Sequence, residues 1–414
     1  MTLSTHLRCI RCHKAFTLAD CVRACDRCLA EGVSANLSVA YAPRAPLHKA
    51  DLPARPQSMW RYAALLHASA DEAVSLGEGL TPLLAVPSLG LGPLWIKDES
   101  QNPTWSFKDR LASAAITMAK KMGARVVVSS SSGNAGAATA AYAARAGLPC
   151  IVLATQHAGG AMLTQMATYG AMLLKVPTSE QRWQVLSAGV QRFGWFPTTA
   201  YFGPTVGSNP LGIEGYKTIA YEIAEARGWQ VPDWCAVPAC YGDSLYGLYK
   251  GFEELRAMGW TDRIPRLLAA EVSGSLAQAM LDGLDMPSVR DFKVPSVARS
   301  IDAPRGTYQA LAALRASGGR ALQVANADIL AWQNRLARRE GLYAEAAAAA
   351  ILPAIEKLRA DGTIVADASV VALLTASGLK DNSTAEQWLA PVPLIEPSLD
   401  AAMRALKEHY GHVE

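Results

Sequence analysis

The feature that most limits the possible folds is an alternation of short apolar segments with longer alanine-rich ones from residue 125 onward. Apolar segments at 126–128, 150–153 and 172–174 are separated by segments of helical length. Strands and helices that alternate with short connections form right-handed parallel crossovers. The pattern predicts an α/β fold with a doubly wound parallel sheet. Further strands and helices are predicted at 60–70, 94–97, 135–146, 161–169, 219–227, 234–238, 245–258, 266–271, 344–361 and 370–374.

Composition indicates a globular enzyme and excludes several other classes. The chain has 414 residues, of which 50% are apolar and 18% charged, with a formal net charge of +3. Because no Lys/Arg stripe interleaved with aromatic residues is present, nucleic acid is not an expected partner. No run of about 18 apolar residues predicts a membrane span, and the first residues lack the apolar core of a signal peptide. We therefore expect a cytoplasmic protein.

Four of the eight cysteines form two closely spaced pairs. Cys9 and Cys12 are one pair, Cys25 and Cys28 the other, with twelve residues between them. Each Cys-x-x-Cys closes a tight turn that presents two thiolates, and two such turns complete a tetrahedral zinc site. A structural zinc is favoured over four free cysteines, and disulfides are disfavoured in a cytosolic enzyme. Four thiolates leave no open position, so a catalytic metal is not expected. Cys21 lies between the two pairs and is expected to take no part in the zinc site.

A single lysine stands in a turn-rich segment just before a periodic apolar run. Asn102 and Pro103 favour a turn, and Ser106 is a candidate cap for a helix that continues beyond Arg110. Lys108 would then lie in the first helical turn, where the positive end of the helix dipole lowers the pKa of an amine. A lysine that loses its proton easily reacts with aldehydes. The alternative is a solvated surface lysine on an amphipathic helix.

Two loops between a strand and a helix have the composition of anion sites. The first is the serine-rich loop 129–136, and the second is the loop 237–245. Free N–H groups at such junctions bind phosphate or carboxylate groups. The alternatives are a serine run that only caps a helix and an ordinary strand–helix turn. Asp243 would repel a phosphate unless its carboxylate points away or caps the helix.

The lysine segment resembles the motif Asn-Pro-Thr-Gly-Ser-Phe-Lys-Asp-Arg of threonine synthases and related type II pyridoxal-phosphate enzymes, with Trp105 in place of the glycine. The segments 77–83, 97–99, 209–218 and 340–345 also resemble this family, and similar zinc ribbons precede its catalytic domain. The matching segments run in order from about residue 9 to 381. The resemblance implies the type II pyridoxal-phosphate fold, with two α/β domains and an N-terminal zinc ribbon.

The resemblance also implies the residues of the site. Lys108 would hold the cofactor covalently and act as base, and Thr375 would face the pyridine nitrogen. Because a hydroxyl stabilises a protonated ring less than a carboxylate does, the cofactor would suit side-chain elimination more than transamination. The implied cofactor-binding residues are Lys108, Phe107, Asn134, Cys240, Tyr241, Gly242, Asp243, Ser244 and Thr375. The implied substrate-binding residues are Ser131, Ser132, Gly133 and Ala135.

The same resemblance gives expectations for domains and activity. The ribbon would occupy 1–35, a linker or arm 36–75, a small mobile domain 121–203, and the large cofactor domain 76–120 with 204–414, in a homodimer. The first candidate reaction converts O-phosphohomoserine to threonine. The alternative is β-elimination or β-replacement on a serine-, threonine- or cysteine-like amino acid. A non-catalytic binding protein is disfavoured because it would not need Lys108 and Thr375 together.

Three positions depart from the threonine synthase pattern. Met172 replaces an arginine after a Gly-Ala pair, Val206 replaces an asparagine, and Ala135 replaces a hydroxyl residue. Each lost charge-assisted hydrogen bond would weaken phosphate binding by roughly 1.5 to 3 kcal/mol. We therefore expect weak turnover of O-phosphohomoserine. Other residues with a charge that could bind the phosphate instead are Arg110, Lys175 and Lys217.

Overall fold

The computed structural model describes residues 6–41, 47–290, 294–386 and 389–411. The chain divides into two compact units, Met1–Asp381 and Asn382–Glu414. Among its described residues, the second unit contains two helices, Asn382–Glu386 and Leu399–Tyr410, which neither the alternation nor the resemblance predicted. All the predicted site residues belong to the first unit.

The bounds of the elements are as follows. The strands are β1 (His6–Cys9), β2 (Ala15–Phe16), β3 (Leu37–Ala40), β4 (Leu83–Ala85), β5 (Leu94–Asp98), β6 (Val127–Ser129), β7 (Cys150–Thr155), β8 (Met172–Val176), β9 (Phe196–Pro197), β10 (Trp234–Pro238), β11 (Arg266–Glu271), β12 (Arg320–Gln323) and β13 (Val370–Leu374). The α-helices are α1 (Asp26–Ala30), α2 (Lys108–Lys121), α3 (Asn134–Ala146), α4 (Gly160–Thr168), α5 (Ser179–Phe193), α6 (Pro210–Ile213), α7 (Lys217–Ala226), α8 (Asp243–Ala257), α9 (Ser275–Leu281), α10 (Tyr308–Ala316), α11 (Asn326–Glu340), α12 (Ala346–Ala349), α13 (Ile351–Ala360), α14 (Asn382–Glu386) and α15 (Leu399–Tyr410).

The larger sheet has six strands in the order β12-β11-β10-β13-β5-β4. Every neighbouring pair is parallel except β4 with β5, which are antiparallel. The α/β architecture predicted from the alternation is therefore confirmed, with mixed rather than purely parallel strands. The antiparallel strand lies at an edge, where an added strand needs no crossover helix.

Both faces of the larger sheet are buried. In β10, Trp234 and Ala236 pack into one apolar cluster, while Cys235 and Val237 pack into the other. Because successive side chains of a strand point to opposite faces, this division covers the sheet on both sides. The helices α11, α12 and α13 supply residues to the first cluster, and α7, α8 and α10 supply residues to the second. The sheet is thus a rigid support for the loops at its strand ends.

A second sheet has four parallel strands in the order β8-β7-β6-β9, within residues 127–197. A third, antiparallel sheet at the N-terminus has the order β2-β1-β3 and carries the four clustered cysteines nearby. Its strand β3 lies beyond residue 35, in the segment that the sequence assigned to the arm. Apolar residues of this small sheet, including Leu7 and Val39, share one buried cluster with α2 and α3. The N-terminal segment therefore packs against the body of the protein.

Several local predictions differ from the structure. The helix predicted at 60–70 is a shorter 3-10 helix, Met59–Leu65, and the alanine-rich helix predicted at 344–361 is divided into α12 and α13. The proline-rich arm contains a 3-10 helix at Lys49–Ala54, and its residues 42–46 lie outside the described residues. The elements that were not predicted include α5, α9, α10, α11 and β12.

Ser106 is not the helix cap that the sequence suggested. The N-cap of α2 is Phe107, and the hydroxyl of Ser106 is buried without a hydrogen-bond partner in the described residues. The backbone N–H of Phe107 donates instead to the carbonyl of Thr375, at 2.9 Å. A tertiary contact with the segment after β13 therefore fixes the start of α2.

Trp105 adopts a backbone conformation that glycine tolerates better. Its φ is +65° and its side chain is 52% exposed. A left-handed conformation costs a residue with a Cβ roughly 1–2 kcal/mol. We expect Trp105→Gly to raise the free energy of unfolding by about 1 kcal/mol in denaturant titrations, since the half-exposed ring loses little burial. Trp105→Ala removes the ring but keeps the Cβ, so a gain of the same size in that variant would contradict the strain argument.

Candidate active site

One cavity of about 330 Å³ brings the predicted site residues together. The loop 131–135, the loop 240–244, Lys108 and Thr375 all line it. Every residue that the sequence assigned to the cofactor or to the substrate is among the lining residues, although their individual roles remain predictions. Because the loops follow the carboxyl ends of β6 and β10, the cavity lies where open α/β sheets bind ligands.

Lys108 is the first residue of α2 and faces this cavity. Its Nζ donates to the hydroxyl of Tyr216 at 3.1 Å and lies 4.4 Å from the centroid of the Phe107 ring. Burial lowers the pKa of Lys108, and the nearby Asp243 opposes this effect only in part. The direction of this pKa shift agrees with the sequence prediction, and its main cause is desolvation. Tyr216 was not predicted, although it lies in one of the matching segments.

The loop 240–244 has the properties of a phosphate site. Gly242 is the N-cap of α8 with φ of +74°, and a Cβ there would lie 2.3 Å from the Cβ of Ala310, so only glycine fits. The N–H groups of Gly242, Asp243 and Ser244 have no acceptor among the described residues. Free N–H groups at a helix N-terminus bind phosphate.

Asp243 would repel a phosphate unless its carboxylate were engaged elsewhere, and in the structure it is. Its carboxylate accepts hydrogen bonds from the N–H of Ser208 at 3.0 Å, from the hydroxyl of Ser208 at 2.7 Å, and from the amide of Gln309 at 2.6 Å. These three donors offset its negative charge. The backbone N–H groups of the loop therefore remain available to an anion.

The serine-rich loop ends at α3, whose first residue is Asn134. The Nδ2 of Asn134 donates to Glu345 at 2.6 Å, and the hydroxyl of Ser300 also donates to Glu345. The Oδ1 of Asn134 is buried and has no partner in the described residues. Burial raises the pKa of Glu345, while these two donors oppose that shift. An orphaned polar atom in a buried site indicates a missing hydrogen-bonding group.

Thr375 lies one residue beyond β13 and is 5% exposed. Its carbonyl accepts the hydrogen bond from Phe107, whereas its hydroxyl makes no hydrogen bond to another described residue. A hydroxyl that is not engaged by neighbouring residues offers one donor and two acceptor positions to a ligand in the cavity.

Two arginines that were not predicted as site residues place positive charge at the cavity. Arg182 of α5 and Arg299 line it together with His157. The Nε of Arg182 is buried without a partner, its Nη2 donates only to the hydroxyl of Ser179, and no described carboxylate pairs with either arginine. The motif Thr178-Ser179-Glu180-Gln181 forms a capping box, which would have predicted the start of α5 from sequence.

Two of the three positions that raised doubt about a phosphate-bearing substrate do not line the cavity. Met172 is at the first residue of β8 and is 48% exposed, and Val206 is buried beside a separate small cavity. Neither lines the candidate site, so their lack of charge says nothing about substrate binding there. Ala135 does line it. The expectation of weak O-phosphohomoserine turnover therefore loses two of its three supports.

The three charged residues proposed as replacements are also engaged elsewhere. Arg110 is fully buried and forms ion pairs with Glu99 and Glu222, and Lys217 is fully buried and pairs with Glu214. Lys175 donates to a backbone carbonyl on the surface. Buried ion pairs of this kind fix neighbouring elements and are unavailable to a ligand.

The four clustered cysteines are close enough to share one ion. Their sulfur atoms all lie within 4.8 Å of one another, with 3.6 Å between those of Cys9 and Cys28 and 3.5 Å between those of Cys12 and Cys25. A zinc ion with four sulfur ligands at about 2.3 Å requires sulfur separations of about 3.8 Å. The N–H groups of Arg11 and Cys12 donate to the sulfur of Cys9. This donor set fits a structural zinc ion.

Comparison with known proteins defines the class. Residues 74–376 match the family described as pyridoxal-phosphate dependent enzyme. The chain belongs to this family, and it is an enzyme whose cofactor is pyridoxal phosphate. Within the family it is similar to threonine synthases. It is 32% identical to the threonine synthase of Methanosarcina acetivorans over 97% of this chain and 98% of that protein. It is 31% identical to that of Methanocaldococcus jannaschii over 97% and 99%.

Solved structures support the fold. A maize serine racemase superposes with a TM-score of 0.63 at 20% identity, covering 80% of this chain and 94% of that chain. A fungal L-serine ammonia-lyase from Rhizomucor miehei superposes with a TM-score of 0.62 at 20% identity, covering 75% and 99%. At this identity the likeness concerns the fold alone. Among the described residues, no helix is long and apolar enough to cross a membrane.

Proposed function

We propose that the enzyme is a threonine synthase that converts O-phosphohomoserine and water to threonine and inorganic phosphate. The observation that carries this proposal is the identity of 31–32% to two threonine synthases over nearly the whole of each chain. The charge of the cavity supports it, because Arg182 and Arg299 offer binding to an anionic group besides the cofactor. A structural zinc ion on the four cysteines and a homodimer are parts of the same proposal.

The residues of the cavity would hold the cofactor in a defined orientation. Lys108 would form the covalent bond to its aldehyde carbon, the loop 240–244 would bind its phosphate, Asn134 its ring oxygen and Thr375 its ring nitrogen. Pyridoxal phosphate, when bound, takes the amino group of the substrate and accepts electrons from the α-carbon. Because the hydroxyl of Thr375 would stabilise a protonated ring nitrogen only weakly, the cofactor would favour loss of a side-chain group over transamination.

The protein groups would then bind the substrate and move its protons. The free N–H groups of the loop 131–135 would bind the α-carboxylate, as at other helix N-termini. The amine of Lys108, released from the cofactor, would remove the proton from the α-carbon, and the hydroxyl of Tyr216 would hold that amine in place. In the net reaction the bond from the γ-carbon to the phosphate oxygen breaks and phosphate leaves. The γ-carbon gains a proton and the β-carbon loses one. The hydroxyl of water bonds to the β-carbon, and the remaining proton of water goes to the phosphate.

The proposed small domain, residues 121–203, would carry the part of the site that moves. It contains the loop 131–135 and Arg182, whereas Lys108, Thr375 and the loop 240–244 belong to the proposed large domain. Closure of one domain on the other would bring Arg182 toward a substrate held over Lys108 and would exclude water. Water is both a substrate and a source of side reactions, so its access must be controlled.

Product identification tests this function. Full-length protein loaded with pyridoxal phosphate is incubated with O-phosphohomoserine, and phosphate and amino acids are quantified. The proposal predicts equal amounts of phosphate and threonine. The alternative, β-elimination from a serine-like or threonine-like amino acid, predicts ammonia and a 2-oxo acid from L-serine or L-threonine and no phosphate from O-phosphohomoserine.

Arg182→Gln tests the origin of phosphate binding. Since one charge-assisted hydrogen bond contributes roughly 1.5–3 kcal/mol, we expect kcat/KM for O-phosphohomoserine to fall about 10- to 100-fold, with unchanged affinity for pyridoxal phosphate. The control is Arg192→Gln, which changes an exposed arginine in the last turn of the same helix and should leave both values unchanged. A loss of cofactor affinity equal to the loss of kcat/KM would place Arg182 at the cofactor instead.

A further inference from the structure

A chain of buried polar side chains connects the N-terminal sheet with the loop 240–244. Asn36 lies just before β3, and Gln309 lies in the first turn of α10. The Nδ2 of Asn36 donates to the Oε1 of Gln309 at 3.1 Å, and the Nε2 of Gln309 donates to Asp243 at 2.6 Å. Asn36 and Gln309 are each 1% exposed. Hydrogen bonds shielded from water in this way fix the relative position of the groups they join.

Gln309 also holds the backbone of the loop. Its Nε2 donates to the carbonyl of Tyr241 at 3.2 Å, and the hydroxyl of Thr307 donates to the same carbonyl at 2.6 Å. In a trans peptide the C=O and the following N–H point in opposite directions. Because α10 holds the carbonyl of Tyr241, the N–H of Gly242 points away from α10. The side chain of Gln309, together with the hydroxyl of Thr307, thus sets the direction of the N–H of Gly242, a residue that lines the cavity.

The residues around the hydrogen bond between Gln309 and Asp243 are closely packed. A Cβ on Gly207 would lie 2.2 Å from the Nε2 of Gln309 and 2.3 Å from the Oδ1 of Asp243, and Gly207 has φ of +108°. Ser208, the next residue, donates to Asp243 through its N–H and its hydroxyl, and its carbonyl accepts from Asn36 at 3.1 Å. Close packing by Gly207 and hydrogen bonds from Ser208 and Gln309 therefore hold the carboxylate of Asp243 in one position.

We propose that Gln309 and Asn36 are positioning residues that hold the loop 240–244 in the shape that binds the cofactor phosphate, so that the segment leading into β3 of the N-terminal sheet supports the cofactor site. This inference rests on the proposed assignment of that loop to the phosphate. It also explains why an aspartate is compatible with a phosphate loop. Asp243 takes the donors of Gln309 and Ser208, and the N–H groups of the loop remain for the phosphate.

The test compares a ligand that has the phosphate with one that lacks it. Full-length protein freed of cofactor is titrated with pyridoxal phosphate and, separately, with pyridoxal, by quenching of tryptophan fluorescence. For Gln309→Leu we expect the Kd of pyridoxal phosphate to rise about tenfold or more, because a hydrogen bond to a charged group is lost from the loop. The Kd of pyridoxal should stay within about twofold, which a general loss of structure would not allow.

The control is Gln278→Leu. The Nε2 of Gln278 also donates to a carboxylate, that of Asp282 at 2.9 Å, but far from the loop in sequence and outside the cavity lining. It should leave the Kd of both ligands unchanged. A second variant, Asn36→Ser, removes the amide that supports Gln309, and we expect a smaller rise for pyridoxal phosphate alone. In the double variant the rise should not exceed that of Gln309→Leu, since both act through one contact.

Two results would overturn the proposal. One is a Kd of pyridoxal phosphate within about twofold of wild type in Gln309→Leu or, if that variant does not fold, in Asn36→Ser. The other is an equal rise for pyridoxal and pyridoxal phosphate. Turnover does not enter these measurements, so a failure of the threonine synthase assignment leaves the proposal standing. A wild-type protein that binds neither ligand would contradict the assignment of the loop and this proposal with it.

Discussion

Lys108→Ala is expected to abolish turnover and to remove the visible absorbance of the bound cofactor. The variant would lack the amine that we propose bonds to the aldehyde and the base that we propose moves the α-proton. General acid–base catalysis alone contributes about 10²–10⁴-fold, so kcat should fall by at least about 10³-fold when the covalent bond is lost as well. Absorbance spectra of the purified protein and a product assay measure the two effects.

Lys120→Ala is the matched control for this experiment. Lys120 lies in the last turn of the same helix and is exposed, so its loss should change neither the spectrum nor the rate. If Lys108→Ala keeps the visible band, another lysine holds the cofactor. The geometry at Tyr216 and Phe107 would then have to be explained by a different role for Lys108.

Loss of one clustered cysteine is expected to remove the metal and to destabilise the fold. Cys28 is buried, and its sulfur lies 3.6 Å from that of Cys9. Structural zinc contributes directly to the free energy of folding, and the N-terminal sheet shares a buried apolar cluster with α2 and α3. We expect Cys28→Ser to lower the free energy of unfolding by more than about 3 kcal/mol, as measured by denaturant titration.

Elemental analysis completes this test. Wild-type protein purified without chelator should contain one zinc ion per chain, and Cys28→Ser should contain none. Cys21→Ser is the control, because Cys21 is buried but does not belong to the four-cysteine cluster. It should keep its zinc. Zinc-free wild-type protein of unchanged stability would contradict the structural role of the cluster.

The sequence predicted the site best where chemistry depends on local motifs. Lys108 and the loops 131–135 and 240–244 each sit at a strand–helix junction, and such junctions have recognisable turn and capping residues. The loops that follow β6 in one sheet and β10 in the other line a single cavity together with Lys108. It was the resemblance to the family that assigned these distant residues to one site, and their individual roles remain predictions.

Residues that depend on tertiary packing were missed or misassigned. Arg182 enters the cavity only through the placement of α5, and Gln309 reaches Asp243 only through that of α10, and neither helix was predicted. Met172 was given a role from its position after Gly-Ala, but it lies at the first residue of β8, opposite the strand end that faces ligands. Ser106 failed as a cap because a backbone contact with Thr375 fixes the helix start instead.

Steady-state kinetics with O-phosphohomoserine, following phosphate release and threonine formation together, test the proposed reaction most directly. A threonine synthase should form the two products at equal rates, with a kcat/KM of about 10⁴ M⁻¹s⁻¹ or above, in the ordinary range of enzymes. A kcat/KM more than about 100-fold below this value, alongside faster formation of a 2-oxo acid from L-serine or L-threonine, would contradict the assignment as a threonine synthase.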